Sequence, residues 1–300
     1  MRSAKNKSER KGKERKARVP VAMSDERIDH FIRYLENERN ASKHTLSNYL
    51  MDIQQFVGFT WGIEKTPPYK WGDVDRFAAR RFLMQFQKSG RQATTTGRKL
   101  SSLRSFYKFL EREDYVEQNP FGGLRAPKKI RNLPEVLSVQ EIARLLESPA
   151  RHLKNISGSG RPEPMSEYSA LRDTAILEVL YSTGARVSEI AGANNSDLDM
   201  LSGILKVRGK GKKERICPLG NPACRALRSL GKKAEEIWPD IKGPRGRSSP
   251  VFLNVHGKRL TTRSMERMMK RYLIDAGLDG KFSPHALRHS FATHMLDAGA

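Results

Sequence analysis

Residues 122–137 separate two long stretches of helical periodicity, and this separation constrains the fold more than any other feature of the chain. The segment reads GGLRAPKKIRNLPEVL, in which Pro127 and Pro134 disfavour helix and no apolar period survives. A chain of 300 residues is long for one domain and comfortable for two. We therefore expect a helical domain over 23–124, an extended basic linker over 125–137 and a second domain over 138–300.

The charge of the chain indicates a polyanionic partner. Lys and Arg number 56 against 33 Asp and Glu, which leaves a formal net charge of +23. Nucleic acid is the first candidate, and an anionic membrane surface is the alternative. No apolar run approaches the roughly 18 residues of a spanning helix, and no signal-peptide core is present. We therefore expect a cytoplasmic, nucleoid-associated protein with no membrane partner.

Two smaller features limit the chemistry and the folded part of the chain. Cys217 and Cys224 are the only cysteines, and their spacing fits no zinc pattern. We therefore expect two ordinary thiols and no metal site. Residues 1–19 are almost all Lys, Arg, Glu, Ser and Gly, which predicts a disordered basic tail over 1–22.

Residues 23–124 carry the periodicity of four amphipathic helices. The third is expected over about 73–89, with Val74, Phe77 and Phe82 among its inward side chains. N-caps followed by solvated charges would explain each cation at the helix starts, but two clusters on so basic a chain favour contact with DNA. The hydroxyls and cations that resemble phosphate contacts are Lys43, His44, Thr45, Thr95, Arg98 and Lys99.

The second domain combines helices with a short β-hairpin. Ser138 and Glu141 form the capping box of its first helix. The run from Leu171 to Tyr181 is apolar nearly all round, which indicates a buried helix. Two strands are expected over 203–208 and 214–219, joined by the turn Gly-Lys-Gly-Lys-Lys.

The stretch Ser-Pro-His-Ala-Leu-Arg-His, which begins at Ser283, has the form of a helix start. Ser283 is a good N-cap, and Pro284 suits the first helical position. His285, Arg288 and His289 then share one face near the donor-rich end of the helix, which suits a phosphate. A solvated basic turn that contains histidines is the alternative.

Three motifs occur in order along the second domain: Gly-Ala-Arg-Val-Ser-Glu around Arg186, Gly-Lys-Gly around Lys210, and His-Ala-Leu-Arg-His from His285. They resemble the tyrosine recombinase (phage-integrase-like) family, most closely its Xer-type bacterial members, and the similarity runs from about Asp29 to Ala300. The resemblance implies a mainly α fold with a small β-sheet. It comprises an N-terminal four-helix SAM-like core-binding domain and an α+β catalytic domain, here truncated at its C-terminus.

The chemistry of that family assigns roles to the motif residues. A tyrosine attacks a DNA phosphodiester and stores the bond as a phosphotyrosine, so no cofactor is needed. The resemblance implies that Arg186 and Arg288 clamp the phosphate oxygens and that Lys210 protonates the departing 5′ oxygen. It also implies that His285 hydrogen-bonds the phosphate or manages the proton of the nucleophile.

Four neighbouring residues have two interpretations each. Glu189 either orients Arg186 or forms a plain surface pair with it. His289 either binds the phosphate directly or is a packed histidine that at most supports the site. Lys212 and Lys213 are either phosphate contacts or solvated charges.

The match to the family is incomplete in one respect. All eight tyrosines precede His285, whereas the family places its nucleophile after the His-x-x-Arg helix, together with a second His or Trp. We therefore expect a truncated recombinase that cannot cleave DNA as given. A DNA-binding protein without cleavage activity is the alternative, and a type IB topoisomerase is a weaker one.

The resemblance also implies partners and a role. The partners are a double-stranded DNA recombination site and further protomers, as a homo-oligomer or with a paired recombinase, with four protomers on the DNA. The implied role is chromosome-dimer resolution or mobile-element integration.

Overall fold

The computed structural model of the protein describes residues 25–88, 93–126, 136–158, 160–209, 214–239 and 248–299. The chain divides into two compact units, Met1–Arg131 and Asn132–Ala300, and each has its own hydrophobic core. The expected tail and most of the expected linker lie outside the described residues. None of the helices in the described ranges is long and apolar enough to cross a membrane.

The described part of the first unit is a bundle of four α-helices. They are α1 (Glu26–Asn37), α2 (Lys43–Thr60), α3 (Arg76–Lys88) and α4 (Ala93–Arg112), with a turn of 3₁₀-helix at Trp71–Asp73. The prediction that Phe77 faces inward was wrong, because its side chain is 70% exposed. Phe77 precedes the buried Phe82 by five residues, which is about 140° around a helix and therefore on another face.

Buried aromatic rings hold this bundle together. Phe31 packs edge-on against Phe106 with ring centroids 5.2 Å apart, and Trp71 packs against Phe106 at 4.9 Å. Asp25 caps the start of α1 and also accepts a bond of 3.2 Å from Trp71 Nε1. These contacts join α1, α4 and the connection between α2 and α3 in one packed core. The starts of α2 and α4 belong to the same bundle.

The second unit is an α+β structure. Its described helices are α5 (Val139–Ser157), α6 (Pro164–Thr183), α7 (Val187–Gly192), α8 (Asn221–Ile237), α9 (Thr262–Asp275) and α10 (Pro284–Asp297). Its strands are β1 (Leu198–Asp199), β2 (Ile204–Arg208) and β3 (Glu214–Pro218), in one antiparallel sheet of order β1-β2-β3. The capping box of α5 is present, since Ser138 and Glu141 exchange side-chain and backbone bonds.

Helix α6 is the central element of the second unit. Ala175, Ile176, Leu177 and Val179 are buried, and the helix packs against α5, α8 and α10. It begins at Pro164, well before the apolar run, because Glu163 caps it by accepting a bond of 2.8 Å from the Ser166 backbone N–H. Helix α6 therefore carries the turn that follows it on a rigid, fully packed support.

Candidate active site

The turn after α6 is fixed by a glycine. Gly184 ends the helix with a left-handed φ of 53°, and its N–H bonds to the carbonyl of Leu180. A Cβ at this position would enter the ring of Phe291, which lies on α10. Glycine is therefore required both for the backbone conformation and for the close approach of α10.

Arg186 lies two residues beyond this glycine, as the N-cap of α7. Its backbone N–H donates to Glu189 Oε2 at 2.8 Å, and its Nη1 donates to Glu189 Oε1 at 3.0 Å. The Arg186 side chain is 51% exposed, whereas that of Glu189 is 3% exposed. The structure therefore favours an orienting role for Glu189 over a plain surface pair.

A second arginine completes this cluster from the sheet. Arg215, on β3, donates from Nη1 to Glu189 Oε1 at 3.0 Å and from Nη2 to Oε2 at 2.7 Å. Burial alone would raise the pKa of Glu189, but hydrogen bonds from Arg215 and Arg186 outweigh it and lower the pKa to about 2. Glu189 is therefore a carboxylate at neutral pH, and it is held between two guanidiniums.

Arg288 approaches the same turn from α10. Its Nη1 donates to the backbone carbonyl of Gly184. The Cα atoms of Gly184 and Arg186 are at most about 7.6 Å apart, because only two peptide units separate them. The structure thus brings the two arginines that were expected to clamp a phosphate to one short turn.

Two of the three histidines of α10 lie near its exposed N-terminal end. His285 and His289 are both exposed, and His285 lies one turn before Arg288 on the same face. His294, further along α10, bonds through Nδ1 to the hydroxyl of Tyr181 on α6 at 2.9 Å. These positions leave His285 and His289 accessible from solvent and give His294 a structural contact.

The expected β-hairpin forms, and its turn lies outside the described residues. β2 and β3 pair from Ile204 with Pro218 to Arg208 with Glu214. Lys210, Lys212 and Lys213 all belong to the turn segment 210–213. Their expected roles therefore stay predictions.

The candidate DNA contacts at the start of α2 are at the surface. Lys43 and His44 are exposed, and Thr45 is partly buried. The hydroxyl of Thr45 lies 2.9 Å from that of Ser42, which caps the helix, and His44 Nδ1 lies 2.9 Å from Asn48 Nδ2. Thr45 and His44 therefore make local side-chain contacts, while Lys43 and His44 face solvent, so both interpretations of this cluster remain open.

The start of α4 requires a correction. Lys99 was expected to contact DNA, but it is buried, with its Nζ 2.9 Å from Asp52 Oδ1 and also bonded to Gln55 Oε1. Its aliphatic stem favours burial where the ammonium has an internal partner. Arg98 forms two bonds to the same carboxylate but stays partly exposed, and Thr95 is partly buried. Lys99 is therefore an internal ion-pair residue.

Comparison with known proteins agrees with this architecture. The profile of the "Phage integrase family" matches residues 137–300, and that of "Phage integrase, N-terminal SAM-like domain" matches residues 28–114. The first match alone covers more than half of the chain. The chain belongs to the phage integrase family.

The relatives of this integrase include curated tyrosine recombinases. It is 40% identical over 280 residues to tyrosine recombinase XerC of Syntrophus aciditrophicus (strain SB), covering 92% of this chain and 86% of that protein. It is 36% identical over 273 residues to tyrosine recombinase XerD of Oceanobacillus iheyensis (strain DSM 14371 / CIP 107618 / JCM 11309 / KCTC 3954 / HTE831), covering 91% and 85%.

A solved structure shares the fold. The Tn1549 transposon integrase, in complex with circular intermediate DNA, matches at a TM-score of 0.63 and 18% identity, covering 91% of this chain and 87% of that one. The predicted family and fold class, a SAM-like helical domain followed by a mainly α catalytic domain with a small sheet, are confirmed.

Arg215 is the residue of this integrase that the sequence did not reveal. Hydrophobic alternation would turn Ile216 inward, but Ile216 is 70% exposed. Arg215 and Cys217 instead share the inward face of β3 with their partners Val207 and Leu205 on β2. Glu189 could have indicated such a residue, because a carboxylate that becomes buried on folding requires cationic partners.

Helix α9 carries a second surface that the sequence motifs did not indicate. Arg263, Arg267 and Lys270 are exposed and follow one another at i, i+4 and i+7, so they form one basic stripe, which also contains the exposed Glu266. Among the described residues no group of three or more His, Cys, Asp or Glu side chains could hold a metal ion.

Proposed function

We propose that this integrase acts in tyrosine-type site-specific DNA recombination and that the turn 184–186 binds the DNA phosphate that is exchanged. The observation that carries the proposal is the convergence of Arg186 and Arg288 on this turn. Arg186 is oriented by a buried carboxylate, and Arg288 is bonded to the carbonyl of Gly184. Two guanidiniums held in this way suit the extra negative charge of a five-coordinate phosphorus.

The proposed reaction exchanges one phosphodiester for another. A tyrosine hydroxyl attacks the phosphorus, the bond from phosphorus to the 5′ oxygen breaks, and a 3′-phosphotyrosine stores the energy of the broken bond. Arg186 and Arg288 bind the non-bridging oxygens, and Lys210 donates a proton to the departing 5′ oxygen. His285 hydrogen-bonds the phosphate and takes up the proton that the attacking tyrosine hydroxyl loses. Because bond energy is conserved, the reaction requires no nucleotide cofactor.

DNA is the proposed partner of both units. The formal net charge of +23 and the exposed basic stripe of α9 supply cations for a duplex. The Tn1549 transposon integrase, which shares the fold, has been solved with circular intermediate DNA. We propose four protomers on one DNA site, as a homo-oligomer or with a paired recombinase, in chromosome-dimer resolution or mobile-element integration.

A second function, DNA binding without strand cleavage, is favoured by the tyrosines that the chain contains. All eight precede His285. Tyr272 is the nearest in sequence, but it is buried, and its hydroxyl donates to Asp173 Oδ2 at 3.0 Å. Burial raises the pKa of Tyr272, with a further contribution from Asp173, so this hydroxyl is a poor nucleophile.

The two functions are separated by a cleavage assay. A site is first selected from random duplexes by binding to the protein, and is then prepared with a nick beside each candidate phosphate, so that a cut strand cannot be resealed. A covalent protein–DNA adduct formed by the 300-residue chain would exclude the non-cleaving function. Without an adduct, hydrogen peroxide is added as a small nucleophile that replaces the attacking hydroxyl.

Cleavage that requires peroxide and is lost in Arg288→Ala, with DNA binding retained, would support the phosphate-activating site. Arg263→Ala is the matched control, because Arg263 belongs to the exposed stripe of α9 and not to the turn 184–186. It should weaken DNA binding and leave cleavage of the bound DNA unchanged. Equal loss of binding and cleavage in Arg288→Ala would show that Arg288 is a general DNA contact. DNA binding with no cleavage under either condition would leave the non-cleaving function.

A further inference from the structure

The carboxylate of Glu189 is shared between two arginines from different elements. Arg215 contacts both of its oxygens, at 3.0 and 2.7 Å. Arg186 contributes only one side-chain bond, because its second bond to this carboxylate comes from the backbone N–H. Nη1 of Arg186 and Nη1 of Arg215 are no more than 6.0 Å apart, since each lies 3.0 Å from the same oxygen.

We propose that Arg215 is a positioning residue for the phosphate site. By occupying both oxygens of Glu189, Arg215 limits Arg186 to a single side-chain bond and leaves its other N–H groups directed to a phosphate. The inference rests on the proposed function, in which Arg186 binds a DNA phosphate. It assigns Arg215 no contact with the substrate.

The geometry of carboxylates and guanidiniums gives the reason. A guanidinium and a carboxylate pair most strongly through two parallel bonds. Arg215 now makes that pair with Glu189, whose side chain is 3% exposed, whereas Arg186 is 51% exposed. Without Arg215, the buried carboxylate would draw Arg186 into the two-bond arrangement and turn its N–H groups away from the solvent side.

The charge balance has the same consequence. Arg186, Arg215 and Arg288 together with the carboxylate of Glu189 leave two positive charges at the turn 184–186. If Arg215 is absent, Arg186 and Glu189 cancel, and only the charge of Arg288 remains for an incoming phosphate. Since the attraction of a phosphate depends on the net charge that faces it, loss of Arg215 should weaken phosphate binding even though Arg186 is still present.

The test is a titration of the full chain with inorganic phosphate, in which binding is monitored through the NMR signal of the Arg186 side-chain Nε–H group. In Arg215→Gln the dissociation constant should rise by about tenfold or more, because one charged hydrogen bond is lost. Arg208→Gln is the matched control. Arg208 lies on the same hairpin and is paired with Asp197 and Glu214, and its replacement removes the same charge. The phosphate affinity of this control should stay within about twofold of the wild type.

A double variant distinguishes positioning from a merely structural role. In Arg215→Gln with Glu189→Gln, the amide oxygen that replaces the carboxylate can still accept one bond from Arg186, but no charge draws Arg186 into a two-bond pair. Phosphate affinity should therefore return to within about threefold of the wild type. A structural role for Arg215 predicts that the double variant is no better than Arg215→Gln. Affinity that does not recover in the double variant, or that never fell in Arg215→Gln, would overturn the inference.

Two further variants keep the test decisive. If Arg215→Gln does not fold, Arg215→Lys keeps the charge but loses the two-bond geometry. It should still weaken phosphate binding by about threefold or more, because one carboxylate oxygen becomes available to Arg186. Wild-type affinity in a folded Arg215→Lys would overturn the inference.

If Arg186→Ala leaves phosphate binding unchanged, the proposed phosphate site fails as well. That result differs from an Arg215→Gln variant that binds phosphate like the wild type, which would overturn only the role of Arg215.

Discussion

Glu189→Gln should destabilise the second unit by a predictable amount. Two guanidiniums and a backbone N–H bond to this buried carboxylate, and its pKa falls from 4.5 to about 2. That shift corresponds to about 3 kcal/mol of folding free energy at neutral pH. A glutamine keeps one acceptor and turns an amide N–H₂ toward the guanidiniums, so we expect a loss of about this size at pH 7.

The pH dependence of this loss has a definite sign. The folded-state pKa of Glu189 is lowered, so its stabilising contribution is complete above pH 4.5 and declines as the pH falls towards 2. By pH 3.5 about 1.4 kcal/mol of the contribution should be gone. The difference in unfolding free energy between the wild type and Glu189→Gln should therefore shrink from about 3 to about 2 kcal/mol between pH 7 and pH 3.5.

The measurement is urea unfolding at each pH, monitored through hydrogen exchange in peptides from α6 and α7. Because these helices belong to the second unit, unfolding of the first unit does not contribute. Glu178→Gln is the control. Burial raises the pKa of Glu178, with Arg225 opposing the shift, so the folded protein does not stabilise its ionised form and its replacement should not reproduce the loss at pH 7. A Glu189→Gln cost below about 1 kcal/mol, or one that does not change with pH, would refute the assignment of Glu189 as a carboxylate stabilised by Arg186 and Arg215.

Three other perturbations have expected outcomes. Gly184→Ala should lower the unfolding free energy of the second unit by at least about 2 kcal/mol, because the residue has a positive φ and the added methyl group would enter the Phe291 ring. Gly192→Ala should be neutral, because a Cβ added there would have nothing within 4 Å. Thermal unfolding of both variants is the measurement. Lys99→Met should cost the first unit about 1.5 kcal/mol in urea unfolding, because Asp52 loses one charged hydrogen bond and keeps the two from Arg98. Lys43→Ala should instead lower the slope of log affinity for duplex DNA against log salt by about 1 without loss of stability, and an unchanged slope would argue against DNA contact by Lys43.

The helices could be predicted because they depend on local patterns. Apolar residues at three- and four-residue intervals located α1 to α4, and the capping box at Ser138 located the start of α5. Phe77 was misjudged because the apolar face of α3 passes through Phe82 instead, and only the packed bundle reveals which face that is. Periodicity gives the existence of a helix more securely than the orientation of each large side chain.

The site was only partly accessible from sequence. The motifs located Arg186 and Arg288, but nothing local indicated that Arg288 bonds to the carbonyl of Gly184, two residues before Arg186, since that contact joins residues about one hundred positions apart. Arg215 was missed because its role depends on the register of β3 against β2. Lys99 was misassigned because Asp52, its partner, lies on a different helix.

Internal ion pairs change how the charge of this integrase should be interpreted. Lys99 is engaged by Asp52, and Arg215 by Glu189, so neither cation is available to release counterions from DNA. The exposed stripe of α9 and the start of α2 present cations at the surface. Because salt dependence counts only the phosphates that are neutralised, the measured slope should follow these surface cations and fall well below the value that a net charge of +23 would imply.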